Sequence, residues 1–128
     1  MSGYSAWKTF ERRFAKLMGG DRLWRPNYGE SAPDGESNTH VWDCKAYQRH
    51  AAITMYVEAE KKYRRYARGR QFVLALFARE HSKAGDFVLL LAKDYAKDQR
   101  RLAQLDRILA EAKADAWTIP SSCFEDES

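Results

Sequence analysis

Two uninterrupted apolar runs stand in the second half of the chain, FVLALFA at 72–78 and FVLLLA at 87–92. Runs without polar alternation are typical of strands that are covered on both faces. The eight residues that separate them, REHSKAGD, make a connection short enough for an antiparallel hairpin. The rest of the chain therefore has to supply packing layers on both sides of a sheet, which favours an α/β fold.

Three stretches with helical periodicity are the candidates for those layers. Residues 5–18 form the first predicted helix, which Gly19-Gly20 would end. Residues 46–68 are the clearest helix, because an apolar stripe runs along one side and charged residues along the other. The last helix is expected to start at Asp94 as its cap. The residues expected to face the core from this last helix are Leu102, Leu105, Ile108, Leu109 and Ala112.

Two shorter segments add strands to the predicted sheet. Residues 22–25 and 40–45 are interpreted as strands, and residues 26–39, rich in Asn, Gly, Ser and Pro, as loop and turn. With one further short strand between these two, we expect an α/β fold with a mixed five-stranded sheet flanked by helices, in the order αβββαββα. Residues 1–116 are predicted to form one domain, and residues 117–128 a C-terminal tail that is acidic at its end.

Length and composition fit a single soluble domain. The chain has 128 residues, and no apolar run in it approaches the ~20 residues of a membrane span. The N-terminus lacks the basic start and apolar stretch of a secretory signal. Cys44 and Cys123 form neither a metal spacing nor a disulfide framework. These features favour a cytoplasmic location, in a bacterial, archaeal or phage-infected cell, and no membrane partner.

The charge distribution indicates an anionic partner. The net charge is +4, although the segment Glu125-Asp126-Glu127 is acidic, so the body of the chain is more basic than the total suggests. Nucleic acid is the first candidate partner for such a surface.

A carboxylate and a lysine are predicted to lie side by side on the strand at 40–45. Because side chains alternate along a strand, Val41, Asp43 and Lys45 share one face and Trp42 and Cys44 the other. The pattern acid-x-Lys occurs three times in the chain, but only this copy lies on a predicted strand and follows the single Pro-Asp pair. The other copies, at 60–62 and 111–113, lie on predicted helices, where such pairs are usually solvated.

This arrangement resembles the PD-(D/E)xK nuclease superfamily. The matching residues are Pro33-Asp34 and Asp43-Cys44-Lys45, with Glu11 on the first helix. Within that superfamily the chain is most similar to the small Holliday junction resolvases of archaeal and phage type. The resemblance implies a restriction-endonuclease-like core and a magnesium-dependent endonuclease, with Mn²⁺ as a substitute for Mg²⁺.

The resemblance also implies roles for individual residues. Asp34 and Asp43 would bind the metal, with the backbone carbonyl of Cys44 as a further ligand and Glu11 bound directly or through water. Magnesium prefers oxygen ligands and retains waters, so the two carboxylates are chemically adequate for a site. Lys45 would orient the attacking water and stabilise charge on the phosphate. The catalytic set is therefore Glu11, Asp34, Asp43 and Lys45.

Two basic groups are predicted to contact DNA phosphates. One surrounds the first helix and strand, and the other lies in KKYRRYARGR at 61–70. A solvated charged face is the alternative for the second group. The predicted DNA-binding residues are Arg12, Arg13, Lys16, Arg22, Arg25, Lys61, Lys62, Arg65 and Arg68.

Each catalytic residue also has a purely structural interpretation. Asp34 before Gly35 is good turn chemistry, Asp43 and Lys45 suit a surface ion pair, and Glu11 suits a solvated helix face. The resulting hypothesis is a metal-dependent endonuclease that cleaves branched DNA as a homodimer, preferably four-way junctions. The alternatives are a restriction-like or repair nuclease on the same core, and a non-catalytic nucleic-acid-binding module.

Overall fold

The computed structural model of the protein describes residues 3–23 and 32–118. Its internal contacts divide the described residues into two units, the first ending at Leu90 and the second beginning at Leu91. Helix α3, Ala92–Thr118, forms the described part of the second unit. The elements of the first unit are α1 Gly3–Leu17, β1 Asp21–Arg22, β2 Gly35–Glu36, β3 His40–Ala46, α2 Ala52–Ala67, β4 Gln71–Phe77, a 3₁₀ segment Arg79–Ala84 and β5 Phe87–Leu89.

The sheet of the first unit is mixed and has the strand order β1-β2-β3-β4-β5. Strands β1, β2 and β3 form an antiparallel meander. Helix α2 then crosses over, so that β4 lies parallel to β3 over seven residue pairs from His40↔Gln71 to Ala46↔Phe77. Strand β5 returns antiparallel to β4. The prediction of an α/β fold with a five-stranded mixed sheet flanked by helices is confirmed.

The two faces of the sheet bury separate apolar clusters. Trp42 and Cys44 pack with Phe10 and Phe14 of α1, whereas Val41 packs with the α2 cluster that contains Tyr63. Successive residues of β3 therefore point to opposite faces, as period two requires. Asp43 and Lys45 follow Val41 in this alternation, which confirms the predicted face for both.

The predicted start of α2 is wrong by six residues, since the helix begins at Ala52 instead of residue 46. Strand β3 continues to Ala46 because its pairing with β4 extends to Phe77. The Tyr47 N–H then donates to the Phe77 carbonyl at 3.0 Å, and a turn leads into the helix. Pairing with a distant strand thus outweighs the local helical periodicity of these residues.

The second apolar run is not covered on both faces. Strand β4 is buried from Phe72 to Leu76, as predicted. Strand β5, by contrast, is an edge strand of three residues, and the side chains of Phe87 and Val88 are exposed. The antiparallel connection predicted between the two runs is confirmed, although it contains a 3₁₀ segment.

Two further expectations change. The loop predicted at 26–39 contains β2, and the strand predicted at 22–25 begins at Asp21, with residues 24 and 25 outside the described residues. Helix α3 begins before Asp94 and continues to Thr118, past the predicted start of the tail. The apolar residues expected to face the core are exposed on α3: Leu102, Leu105, Ile108, Leu109 and Ala112. Among the described residues no helix combines the length and the apolar character needed to cross a membrane.

Candidate active site

The β2–β3 hairpin holds Asp34 against the backbone of β3. The Asp34 N–H donates to the Trp42 carbonyl at 3.0 Å, and the Asp34 carbonyl accepts from the Leu23 N–H at 2.9 Å. Its side chain is buried, and Oδ2 accepts a hydrogen bond from the Cys44 N–H at 2.8 Å. The turn is closed by the Ser37 N–H, which donates to the His40 carbonyl at 2.8 Å. Backbone pairing therefore fixes the first predicted carboxylate beside the strand that carries the second.

Asp43 is almost completely buried, with 1% of its surface exposed. Lys45 Nζ lies 3.4 Å from Asp43 Oδ2, at ion-pair distance. Oδ2 nevertheless has no hydrogen-bond partner within residues 3–23 and 32–118. Burial, reinforced by the neighbouring Asp34 carboxylate, raises the pKa of Asp43 from 3.8 to about 7, against the smaller opposing effect of Lys45.

The carboxylate pair is chemically suited to a hard divalent cation. Asp34 and Asp43 are close enough to interact electrostatically, and burial makes a negative charge on Asp43 unfavourable. A cation bound by both side chains would offset that cost and supply a partner for Asp43 Oδ2. Mg²⁺ is held by one or two carboxylates and retains several waters, so this donor set fits it. No group of three or more His, Cys, Asp or Glu side chains with metal-site geometry occurs among the described residues.

Glu11, the third predicted carboxylate, is paired with Arg22. Its Oε2 accepts a hydrogen bond from Arg22 Nε at 3.0 Å, and its side chain is 12% exposed. Together with Asp34 and Asp43, the Glu11 charge contributes to raising the pKa of Cys44. Helix α1 thus brings a third carboxylate within electrostatic range of Cys44 in β3, but Glu11 belongs to no three-residue metal group among the described residues.

The remaining residues of the motif differ in their access to solvent. The Lys45 side chain is 47% exposed, so its ammonium group can reach a ligand while it contacts Asp43. The Cys44 side chain is buried against α1, and burial raises the pKa of its thiol well above the usual value. Cys44 is therefore a small core residue, and its thiol is not an activated nucleophile.

Part of the first predicted basic group is engaged in ion pairs. Arg13 binds Asp86 at 2.6 Å, and Arg22 binds Glu11. Arg12 and Lys16 are exposed, whereas Arg25 lies outside the described residues. Arg12 and Lys16 therefore remain as exposed cations on α1, and this group offers less free positive charge than the sequence indicates.

The residues of the second basic group lie closer together than those of the first. Its four predicted DNA-binding residues line one cavity of about 860 Å³ at the end of α2. Arg70 shares this cavity and donates to Glu36 Oε2 at 2.9 Å and to the Ser37 carbonyl at 2.9 Å. Arg70 therefore ties α2 to the hairpin and balances Glu36. The four residues are Lys61, Lys62, Arg65 and Arg68.

A cavity of about 780 Å³ was not foreseen from the sequence. It combines Trp7 of α1 with Tyr47 and Arg49 after β3, and with Phe77 and Arg79 at the end of β4. These residues come from separate segments, so no spacing along the chain could have grouped them. The closeness of Tyr47 to Lys45 in the sequence was the only available signal.

Compared with known proteins, the chain matches no family model, no curated protein and no solved structure.

Proposed function

We propose that the protein is a metal-dependent DNA endonuclease of the PD-(D/E)xK type that cleaves branched DNA in the manner of a Holliday junction resolvase. One observation carries this proposal. The β2–β3 hairpin brings two buried carboxylates, Asp34 and Asp43, together, and Lys45 Nζ lies 3.4 Å from Asp43 Oδ2. Two carboxylates that can hold a divalent cation, with an ammonium group beside one of them, suit metal-assisted hydrolysis of a phosphodiester.

Each residue has a defined task in this reaction. Asp34 and Asp43 would hold Mg²⁺, which neutralises phosphate charge and positions the attacking water when it is bound. Asp34 is held in place by the Cys44 N–H, so one ligand is preorganised. Lys45 keeps its ammonium group beside Asp43 and donates hydrogen bonds to the phosphate as negative charge develops on it.

The order of the elements supports the same proposal. An antiparallel β1–β3 meander, a crossover through α2 and a parallel β4 fit the restriction-endonuclease-like core that the motif implies. In this order Asp43 and Lys45 come from β3, Asp34 immediately precedes β2, and the charge of Glu11 on α1 acts on Cys44. The basic residues of α1 and α2 provide surfaces for DNA phosphates.

The preference for branched DNA follows from size and symmetry. A chain of 128 residues has few elements to spare for reading base edges, so recognition of DNA shape is favoured. A four-way junction has two-fold symmetry, and its resolution needs two opposed cuts. We therefore expect the protein to act as a homodimer, because two copies present two carboxylate sites, one for each cut.

A non-catalytic nucleic-acid-binding module is the second candidate. One observation favours it, since both carboxylates have structural contacts: Asp34 with the Cys44 N–H and Asp43 with Lys45. In that case the basic surfaces would bind DNA, and Asp34 and Asp43 would only stabilise the hairpin.

Cleavage of labelled four-way, flap and linear DNA, each in Mg²⁺ and in chelator, tests the proposal. We expect metal-dependent cleavage that is strongest on the four-way junction and lost in Asp43→Asn, with folding and DNA binding preserved. Asp106→Asn, an exposed carboxylate on α3, is the matched control and should cleave normally. Binding without cleavage of any substrate would favour the non-catalytic module. Cleavage of linear DNA as fast as of the four-way junction would favour a restriction-like or repair nuclease.

A further inference from the structure

The cavity of about 780 Å³ lies where the parallel strands β3 and β4 end. Ala46 and Phe77, the last residues of the two strands, both line it. In open α/β sheets, the crevice outside the carboxyl ends of parallel strands is the usual position for a ligand. Its volume is also in the range of small-molecule sites.

Because α2 begins only at Ala52, residues that precede it line part of this cavity. Because β3 pairs with β4 as far as Phe77, residues 47–51 connect the strand to α2 outside both elements. Tyr47 and Arg49 are held at the rim by this connection, and the side chain of Tyr47 is 45% exposed. In a helix that began at residue 46, Tyr47 and Arg49 would belong to that helix and not to a connection beside the strand ends.

The aromatic residues form a surface suited to a flat ring. The Trp7 indole is fixed by edge contacts with Phe10 and Phe77, at centroid distances of 5.5 and 6.2 Å. Tyr47 lines the same cavity and is accessible from solvent. Aromatic side chains of this kind stack on nucleobases with little dependence on base identity.

The charged groups around the cavity suit a phosphate. Arg49 and Arg79 both line it and are exposed. Neither makes an ion pair or a hydrogen bond with another residue in the described part of the chain, so both guanidinium groups are available to a ligand. Glu80 is the single carboxylate among the lining residues. Guanidinium groups bind phosphate oxygens through paired hydrogen bonds.

We propose that this cavity binds an unpaired nucleotide of a DNA strand, with its base against Tyr47 and Trp7 and its phosphate at Arg49 and Arg79. Ala46 is three residues beyond Asp43 on the same strand, a distance of about 10 Å. In this proposal the same DNA strand continues from the cavity towards Asp34 and Asp43. This inference rests on the proposed function for its choice of DNA, and it specifies the substrate as DNA with an unpaired nucleotide next to the scissile phosphate.

Equilibrium binding in chelator tests the inference independently of cleavage. Fluorescence anisotropy would compare three labelled duplexes: one fully paired, one with a single-nucleotide bulge, and one in which the bulged nucleotide is abasic. We expect the bulged duplex to bind about ten-fold more tightly than the abasic one, since the base supplies the stacking. Equal affinity for the bulged and abasic duplexes would overturn the inference.

Substitutions assign the effect to the cavity. Tyr47→Ala should remove the difference between bulged and abasic duplexes, and Arg49→Gln with Arg79→Gln should weaken binding of both. Tyr95→Ala and Arg101→Gln are the matched controls, because both residues are exposed on α3. These controls should change affinity less than two-fold. A bulge preference that survives Tyr47→Ala would place base recognition elsewhere and contradict the inference.

Competition identifies the source of the nucleotide. Free deoxynucleoside monophosphate is expected to displace bulged DNA only at millimolar concentration, because it lacks the adjoining strand. Displacement at micromolar concentration would mean that the cavity serves a free nucleotide, which contradicts the inference. If the protein prefers the bulged duplex but shows no metal-dependent cleavage, the inference about the cavity stands and the nuclease proposal fails. If it cleaves DNA but shows no such preference, the nuclease proposal stands and the inference about the cavity fails.

Discussion

At the scale of single residues, the distinctive feature is a carboxylate that is buried without full compensation. Asp43 has 1% of its surface exposed, and its Oδ2 has Lys45 at 3.4 Å as an ion-pair partner. Desolvation accordingly raises the pKa of Asp43 to about 7. Perturbed pKa values of this kind are concentrated at functional sites.

The unfolding free energy should reveal this carboxyl group through its pH dependence. Between the unfolded value of 3.8 and the folded value of about 7, the native protein keeps a proton that the unfolded chain releases. Stability contributed by Asp43 is therefore present at low pH and is lost as the pH rises through about 7, with a limiting slope of about 1.4 kcal/mol per pH unit.

Denaturant unfolding in chelator at pH 5, 6, 7 and 8 is the measurement. The free energy of unfolding of the wild type minus that of Asp43→Asn should fall between pH 5 and 7 and then level off. Using the difference cancels the contribution of other titrating groups. A difference that stays constant from pH 5 to pH 8 would show that the pKa of Asp43 is not raised.

Lys45 is predicted to contribute to turnover and not to metal binding. An ammonium group has three hydrogen-bond donors and no acceptor, so it can contact phosphate or water but cannot be a ligand. Lys45→Ala should reduce cleavage about 100- to 1,000-fold, the usual effect of removing one donor that stabilises developing charge. Calorimetric Mg²⁺ affinity should stay within a few-fold of the wild type.

Lys113→Ala is the matched control, because Lys113 belongs to another acid-x-Lys pattern and is exposed on α3. It should cleave normally. Loss of Mg²⁺ binding in Lys45→Ala with unchanged turnover per bound metal would contradict the assigned role.

At the scale of elements, β2 has a structural importance out of proportion to its two residues. It pairs with both β1 and β3 and thereby sets the position of Asp34. The close approach depends on Gly35, because a Cβ there would overlap the Trp42 indole. The indole cannot retreat easily, since it is packed against Phe14.

Gly35→Ala is therefore expected to destabilise the protein by about 1–3 kcal/mol, the usual cost of overpacking a core. Because the hairpin must shift to relieve the overlap, cleavage should fall as well. Denaturant unfolding and the junction assay are the measurements. Asn38→Ala, an exposed substitution in the same hairpin, should change stability by no more than about 0.5 kcal/mol. A neutral Gly35→Ala would mean that the contact between β2 and Trp42 is looser than described.

At the scale of the whole molecule, the proposed homodimer needs a surface for a second copy. The β4–β5 pair is one candidate for that surface. Strand β5 exposes Phe87 and Val88 at an edge of the sheet. Helix α3 exposes Leu102, Leu105 and Leu109, whose alternating spacing of three and four is typical of a helix that packs against another.

Leu105→Glu is expected to convert dimer to monomer, because a carboxylate would be buried in the helix contact. Sedimentation at micromolar concentration, with and without junction DNA, is the measurement. Arg107→Glu also introduces a carboxylate on exposed α3, two positions further along, and should leave the association unchanged. A wild type that is monomeric under both conditions would contradict the resolvase form of the proposal and favour a nuclease that nicks one strand.

Local periodicity was enough to predict the helix and sheet layers and the side-by-side position of Asp43 and Lys45 in the candidate site. The first helix, the buried strand β4 and the common face of Asp43 and Lys45 could all be read from spacing, because side-chain direction follows directly from helical or strand geometry. The nuclease function, its metal and its partners remain proposals that this geometry supports.

Only the tertiary structure decided how distant segments meet. The hydrogen bond from the Cys44 N–H to Asp34, the start of α2 at Ala52 and the cavity near Tyr47 all depend on pairing between β3 and its neighbours β2 and β4. The exposure of β5 depends on its place at the edge of the sheet. Hydrogen bonds and packing between residues far apart in the chain set these features, and no local pattern encodes them.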